Sequence, residues 1–371
     1  MRTPYFKLVY NGRDLSGIFG EWPTEITYTD KKHGESDEVM VKVHNSTGQW
    51  LEEWMPQNGD TFTLDYGYED ETVPAGEFTV DEFAANGGAR GDSVDFKGLS
   101  TPSTEKLRTK NSKPYENQSL REIAQKIASE HGMTVEGEIE DITFERVTQN
   151  GERDLEFLKR LAEDSGHDFT IKGKKLIFTS RDALRAEDPV RVIDRTLETE
   201  QTLLSYNLRN SDRASAKKAV VRYYHPKRKK VIEGEASSSD DLGIMTNSGD
   251  TIMLDIRVEN DDQAKRLAKS RLDKKNSEKM TGDFDLLGEP LLVAGQVIEL
   301  KNFGSFDGRY IISESKHTLK RNGYTTQIRI ELITEKQQQA GKKVKAKNSG
   351  SNSASGGDNL GTMGSDGNLR P

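Results

Sequence analysis

Cysteine is absent from the 371 residues. That removes disulfides, thiolate metal sites and cysteine nucleophiles, and it fits synthesis in a reducing cytoplasm. Long apolar runs are missing too. No stretch approaches the roughly 20 residues that cross a bilayer, and Met1 to Tyr10 carries no apolar h-region of signal-peptide length. The expectation is a soluble chain with no secretion signal and no membrane contact. Histidines are sparse: His33, His44, His131, His167, His225 and His317. None is paired with another at metal-ligand spacing, and there is no His-Glu-x-x-His. A phosphate-cradling glycine loop with Lys and Ser/Thr is missing, as is a Gly-x-Ser-x-Gly nucleophile elbow. Apolar residues make up only 32% of the chain, low for a self-contained globular enzyme, and this suggests thin modules with much polar surface in a larger assembly. A net charge of −8 repels phosphate backbones and anionic membranes, so nucleic acid is not the default partner.

Within that frame no residue is assigned as catalytic, cofactor-binding or metal-ligating, and no cofactor is expected. Carboxylates are plentiful, so counting does not exclude an acid/base pair. Those nearest to an apolar setting are Glu21 beside Trp22 and Glu53 beside Trp54, both read as surface groups at element ends. Arg90-Gly91-Asp92 spells an adhesion tripeptide but reads as a hairpin turn. The basic run Lys227-Arg228-Lys229-Lys230, next to Tyr223 and Tyr224, reads as a solvated hairpin loop. A passing contact with nucleic acid in a channel is the alternative left open for it.

The length suits two to three domains. Residues 1–104 read as β: Val39, Val41 and Val43 alternate with polar residues, as do Phe62, Leu64 and Tyr66, and Phe78 and Val80. From 105 the character changes. Ser119-Leu120-Arg121-Glu122 has the capping-box pattern, and Leu120, Ile123, Ala124, Ile127 and Ala128 form an apolar stripe at helical spacing that Gly132 ends. A second helix carries Leu155, Leu158, Leu161 and Ala162 up to Gly166, and Phe169–Ile171 with Leu176–Phe178 form a hairpin. Strand patterns return over 195–235, including Ala219–Tyr224. Another helix is capped near Asn260 and lined by Ala264, Leu267, Ala268 and Leu272. Residues 285–335 are β again, with Ile328, Ile330 and Leu332 alternating. From Gln337 onward the chain has almost nothing apolar to bury and reads as a flexible tail.

The two β regions share a weak repeat. Asn58-Gly59-Asp60-Thr61-Phe62-Thr63-Leu64 parallels Ala294-Gly295-Gln296-Val297-Ile298-Glu299-Leu300, and Ala75-Gly76-Glu77-Phe78-Thr79-Val80 parallels Asp307-Gly308-Arg309-Tyr310-Ile311-Ile312. Arg90-Gly91-Asp92 precedes a strand as Asn322-Gly323-Tyr324 does. Gly76 and Gly91 are 15 positions apart, as are Gly308 and Gly323, whereas Gly59 to Gly76 is 17 against 13 for Gly295 to Gly308. A longer loop in the first copy accounts for the difference. The repeat predicts two related antiparallel barrels in one chain.

Over roughly residues 3–335 the chain resembles the late control protein D family, baseplate hub proteins of contractile-tailed phages. The resemblance is carried by Gly288-Glu289-Pro290-Leu291-Leu292-Val293-Ala294-Gly295-Gln296-Val297-Ile298-Glu299-Leu300 with Asp307–Ile312, His317-Thr318-Leu319 and Gly323–Thr326. It is carried also by Arg153-Asp154-Leu155-Glu156-Phe157-Leu158-Lys159-Arg160-Leu161-Ala162, and by Trp54-Met55-Pro56 ahead of Gly76-Glu77-Phe78-Thr79-Val80-Asp81. It implies an α+β, mainly β fold: two tandem tube-type antiparallel β-barrels with an inserted α/β module and a disordered C-terminal tail. The expected divisions are 1–104 for the first barrel, 105–194 for the insertion module, 195–235 with 285–335 for the second barrel, 236–284 for a helix-containing insertion and 336–371 for the tail. The implied function is that of a structural hub, not an enzyme, in the baseplate of a virion tail or injection particle assembled in the bacterial cytoplasm. The implied partners are a homotrimer of the chain itself, a separate trimeric spike protein, a hexameric tail tube or tube-initiator protein, and baseplate wedge proteins. Type VI secretion relatives fuse hub and spike, and nothing after Glu335 reads as spike repeats. The rival reading is a tail-associated peptidoglycan-binding or peptidoglycan-hydrolysing protein, with the middle module as its site.

Overall fold

The computed structural model describes residues 2–16, 25–34, 36–89, 91–101, 105–198, 202–226, 228–238, 250–321 and 323–333. Alternation builds its main sheet. Val39, Val41 and Val43 are buried in the strand Glu38–His44, Phe62, Leu64 and Tyr66 in Thr61–Tyr68, and Tyr324, Ile328 and Ile330 in Gly323–Leu332. Successive side chains of a strand point to opposite faces, so each strand gives one face to the core and one outward.

Thirteen strands belong to this sheet. In the first half of the chain the spatial order is Pro4–Tyr10, Thr61–Tyr68, Glu71–Asn86, Ser93–Leu99, Glu38–His44, Glu25–Lys31, each antiparallel to the next. In the second half it is Arg191–Asp194, Val297–Lys301, Gly308–Lys320, Gly323–Leu332, Met280–Leu287, Leu203–Asn210. The same permutation of chain order recurs: first, fourth, fifth, sixth, third, second. The difference lies in the first pair, antiparallel in one half and parallel in the other.

The agreement extends to single hydrogen bonds. Gly59 N donates to Val80 O and Val80 N to Asp60 O; Gly295 N donates to Ile312 O and Ile312 N to Gln296 O. The Asp60 side chain accepts from Gln57 N, and the Gln296 side chain from Val293 N. Gly59 and Gly295 have φ of 94° and 88°, values an L side chain rarely adopts, which explains glycine at the head of both strands. Each central strand then carries a bulge of one extra residue at the matching place, Asp81 between Val80 and Glu82 and Ser313 between Ile312 and Glu314.

The two halves meet on Gly308–Lys320. One edge of this strand pairs along its length with Gly323–Leu332. The other edge is divided: Gly308 to Ile311 face Val297–Lys301, whereas Glu314 to Leu319 face Ile26 to Lys31 of the first half. Two barrels were expected. The pairings instead make one continuous sheet, and among the described residues they close neither half into a ring.

Two modules pack beside the sheet. In the first, Ser119 and Glu122 form the capping box, with Ser119 Oγ accepting from Glu122 N at 3.2 Å and the Glu122 carboxylate from Ser119 N at 2.7 Å. Helices Leu120–Glu130 and Asp154–Asp164 bury their stripes against the hairpin His167–Lys172/Lys175–Ser180. Residues 191–194, assigned above to this module, leave it for the main sheet. The second module corrects a larger assignment. Lys218–His225 and Lys230–Ser237, expected in the second barrel, pair with each other, and Thr251–Leu254 pairs with the other edge of Lys218–His225, in a separate sheet under helix Asp261–Ser277. Met280–Leu287, placed partly in the insertion, is a main-sheet strand. Ala219, Val221, Ile232, Ala264, Leu267, Ala268 and Leu272 form a core of their own, so the inserted unit spans about 211–279. The tail expected from 336 lies outside the described residues.

Replacing Ser119 by Ala is expected to reduce stability by about 1 kcal/mol, the usual loss of an N-cap. A Cβ added at Gly234 would lie 2.3 Å from the Ala264 backbone. Gly234→Val is therefore expected to destabilise by about 1–3 kcal/mol through overpacking. Urea unfolding midpoints of the two variants check both.

Candidate assembly interface

The buried polar groups of the sheet gather where its halves join. Ile26, Tyr28 and Asp30 share the inward face of their strand, as do Ser315, His317 and Leu319 of the partner strand. His317 is enclosed. Its Nε2 lies 3.1 Å from the Leu292 carbonyl, which only accepts, so this nitrogen carries the proton, and Nδ1 accepts from the Tyr324 hydroxyl at 2.7 Å. Burial pushes His317 down to about 3, against a small opposing pull from the Leu292 carbonyl, and the ring stays neutral. It stacks on Tyr28 with centroids 5.9 Å apart. Tyr66 and Tyr68 donate to Pro290 O and Gly288 O, which ties the first half to the connection between Met280–Leu287 and Val297–Lys301 in the second.

Asp30 and Asp37 lie beside this row. Lys172, from the hairpin of the first module, contacts Asp30 at 2.9 Å and Asp37 at 3.2 Å. Asp30 also accepts from Ala294 N at 3.0 Å. Burial, and then the charge of Asp30, push Asp37 up to about 7 despite Lys172. Burial works against the Lys172 ammonium, but Asp30 and Asp37 outweigh it and raise it. Lys172 thus ties the module to the first half, and Asp30 carries the link on to the second through Ala294 N.

A second ionic row holds the first module to the sheet and to helix Asp261–Ser277. Asp168 accepts from Arg181 at 2.7 Å and lies 3.8 Å from Lys32; His33 contacts Glu163, which also meets Lys274 and Arg271. Burial alone would raise Asp168; Lys32 and Arg181 reverse that and hold it well below the carboxylate range. Glu163 is lowered to about 2, first by its bond with His33. Lys32, His33, Glu163, Asp168, Arg181 and Lys274 line a cleft of about 260 Å³. These six side chains pair among themselves, an arrangement that suits a structural seam. No cluster of three metal-ligating side chains occurs among the described residues.

Of the residues singled out by sequence, Glu21, Trp22, Arg90 and Lys227 lie outside the described residues. Glu53 is exposed, and Trp54 meets Trp50 edge-on. Gly91 and Asp92 sit between Glu71–Asn86 and Ser93–Leu99, where a turn was expected. Arg228 pairs with Glu145 and donates to Glu259 O, and Lys230 is 3.7 Å from Asp261, so the basic hairpin is engaged by acids within the chain. Sequence reasoning missed Asp30, Asp37, Lys172, Asp168 and the role of His317. Two of them carried a signal: Asp30 and His317 fall on the apolar parity of their own strands, and the pleat turns that parity inward.

Comparison with known proteins gives the context. A family model described as phage tail baseplate hub (GPD) matches residues 101–323. The chain belongs to this family. Curated members that it resembles are the probable baseplate hub proteins of Escherichia phage 186, 27% identical, and Escherichia phage P2, 28% identical, both over 184 residues. Each match takes in 47% of this chain and 45% of the relative, so the chain spans less than half the length of the curated hubs it matches. Solved structures share the fold across nearly its whole extent. The 43 kDa tail protein of prophage MuSo2 from Shewanella oneidensis has a TM-score of 0.68 at 15% identity, covering 90% of this chain and 99% of that one. The tail protein of Neisseria meningitidis MC58 has 0.70 at 10%, covering 91% and 99%. A component of the Escherichia coli type VI secretion system has 0.54 at 13%, covering 84% and 74%.

His317 and Asp37 make opposite contributions to pH dependence. The folded state resists protonating His317, whose ordinary value is 6.5, so stability from this group falls as pH drops from 6.5 toward about 3. The folded state holds the Asp37 proton, so stability from this group falls as pH rises from 3.8 to about 7. Relative to the parent, His317→Gln is expected to make the stability slope between pH 4.5 and 6.5 more negative, and Asp37→Asn more positive. Thermal unfolding across this range checks both signs.

Proposed function

We propose that the chain is a structural hub of a contractile phage tail or related injection particle, acting by symmetry adaptation and without catalysis. Each copy supplies two tube-type units, one per half of the sheet. Three copies then present six similar units on one rim. A threefold object of this kind can meet a hexameric tail tube or tube initiator on one side and a trimeric spike on the other, with wedge proteins outside. The observation that carries this reading is the recurrence of one strand permutation, with its bulge and turn hydrogen bonds, in two halves joined side by side. Two equivalent units per chain are what a pseudo-sixfold ring of three chains requires. The inserted modules at 105–190 and 211–279 would decorate the ring. Its place is the baseplate of the assembled tail, built in the bacterial cytoplasm.

Native mass spectrometry of the full chain is expected to show a trimer. A monomer at every concentration overturns the ring.

A further inference from the structure

We infer that the cleft between the first module, the main sheet and helix Asp261–Ser277 binds a small zwitterion, a molecule carrying one carboxylate and one ammonium group. Six of its side chains pair among themselves, as described above. Arg185 and Lys159 line it as well and stand outside that pairing. The cavity, about 260 Å³, leaves room for a compact ligand beside the paired groups.

Arg181 and Arg185 lie one turn apart on the short helix Arg181–Arg185, and both turn inward, 8% and 3% exposed. Arg181 is satisfied: it donates to Asp168 at 2.7 Å and to Ser270 at 3.2 Å. Arg185 is not. Its Nη1 is buried with no acceptor, and Asp273, 3.8 Å away, is beyond hydrogen-bond reach. A guanidinium N–H taken out of water without an acceptor is costly, and the planar fork suits a carboxylate or a phosphate. Lys159 lies across Gly34, where a Cβ would overlap the end of its side chain. No carboxylate lies within ion-pair distance of its ammonium among the described residues.

The same cavity carries the complementary defect. Asp168 is 5% exposed, and its Oδ2 accepts no hydrogen bond, with the Lys32 ammonium 3.8 Å away. This second atom decides the class of ligand. A phosphate on Arg185 and Lys159 would also meet Glu163, Asp168, Glu278 and Glu331 on the same walls, and these carboxylates repel a dianion. A bare carboxylate would leave Asp168 Oδ2 as it is. A carboxylate held by Arg185 and Lys159, with an ammonium group turned to Asp168, satisfies both buried atoms and adds no net charge to the seam.

Isothermal titration of the full chain with glycine, β-alanine and 4-aminobutyrate, against acetate and inorganic phosphate at matched ionic strength, tests the site. At least one of these amino acids is expected to bind about tenfold more tightly than acetate, the worth of one charge-assisted hydrogen bond. Phosphate is expected to bind more weakly than that amino acid. Lys159→Gln is expected to weaken its binding about tenfold and leave the unfolding midpoint unchanged, because the ammonium pairs with no carboxylate in the free chain. Arg185→Gln is expected to abolish binding without lowering the midpoint of the free protein, since it removes a charge that lacks an acceptor. Phosphate bound in preference to every amino acid overturns the zwitterion. Absence of binding by every probe overturns the site. So does an Arg185→Gln variant that unfolds more readily yet binds as before, which would make Arg185 a part of the structural seam.

Discussion

The divided edge of Gly308–Lys320 is the constraint on which the rest of the molecule depends. A strand has two rows of backbone groups, and each must find partners when buried. Here one row is used by Gly323–Leu332 and the other is split at the bulge between Val297–Lys301 and Glu25–Lys31. Without the first-half strand, residues 314–319 would be a bare edge; without the second half, Ile26 and Tyr28 would lose their cover. The two halves therefore fold as one sheet, and their relative setting is fixed by backbone hydrogen bonds, which leave little freedom to rock.

Polar chemistry specifies this junction in addition to stabilising it. A neutral His317, fixed in one tautomer between a carbonyl and a tyrosine hydroxyl, suits a single alignment of the two strands. The Asp30–Lys172–Asp37 bridge adds the first module to the same point. Ion pairs taken out of water bring modest net stability. They penalise misplacement heavily, because a shifted strand would leave a buried carboxylate without its cation.

Much of the architecture was legible from alternation and capping. The inward parity of Val39, Val41 and Val43, the Ser119–Glu122 box and the stripe from Leu120 to Ala128 all appear where the pattern put them. So does the repeat, because Gly59, Gly76, Gly295 and Gly308 hold backbone angles that few other residues tolerate. Sheet membership was the part that escaped. Period-two alternation states which face of a strand is buried and is silent about its neighbour. Ala219 to Tyr224 looked like a main-sheet strand, and what diverts it is the close approach of Gly234 to helix Asp261–Ser277, a contact distant in sequence. Arg191–Asp194 is too short to advertise its parallel partner. Asp37, Lys172 and Asp168 become special only once three separate segments converge on them.

The two bulges at Val80/Glu82 and Ile312/Glu314 fall at the same point of the two halves. A bulge bends its strand and sharpens the local twist. Each long strand therefore turns away from its original neighbour just where it takes leave of the strand that opens with Thr61 or Val297, so one extra residue per half decides where that neighbour's pairing stops.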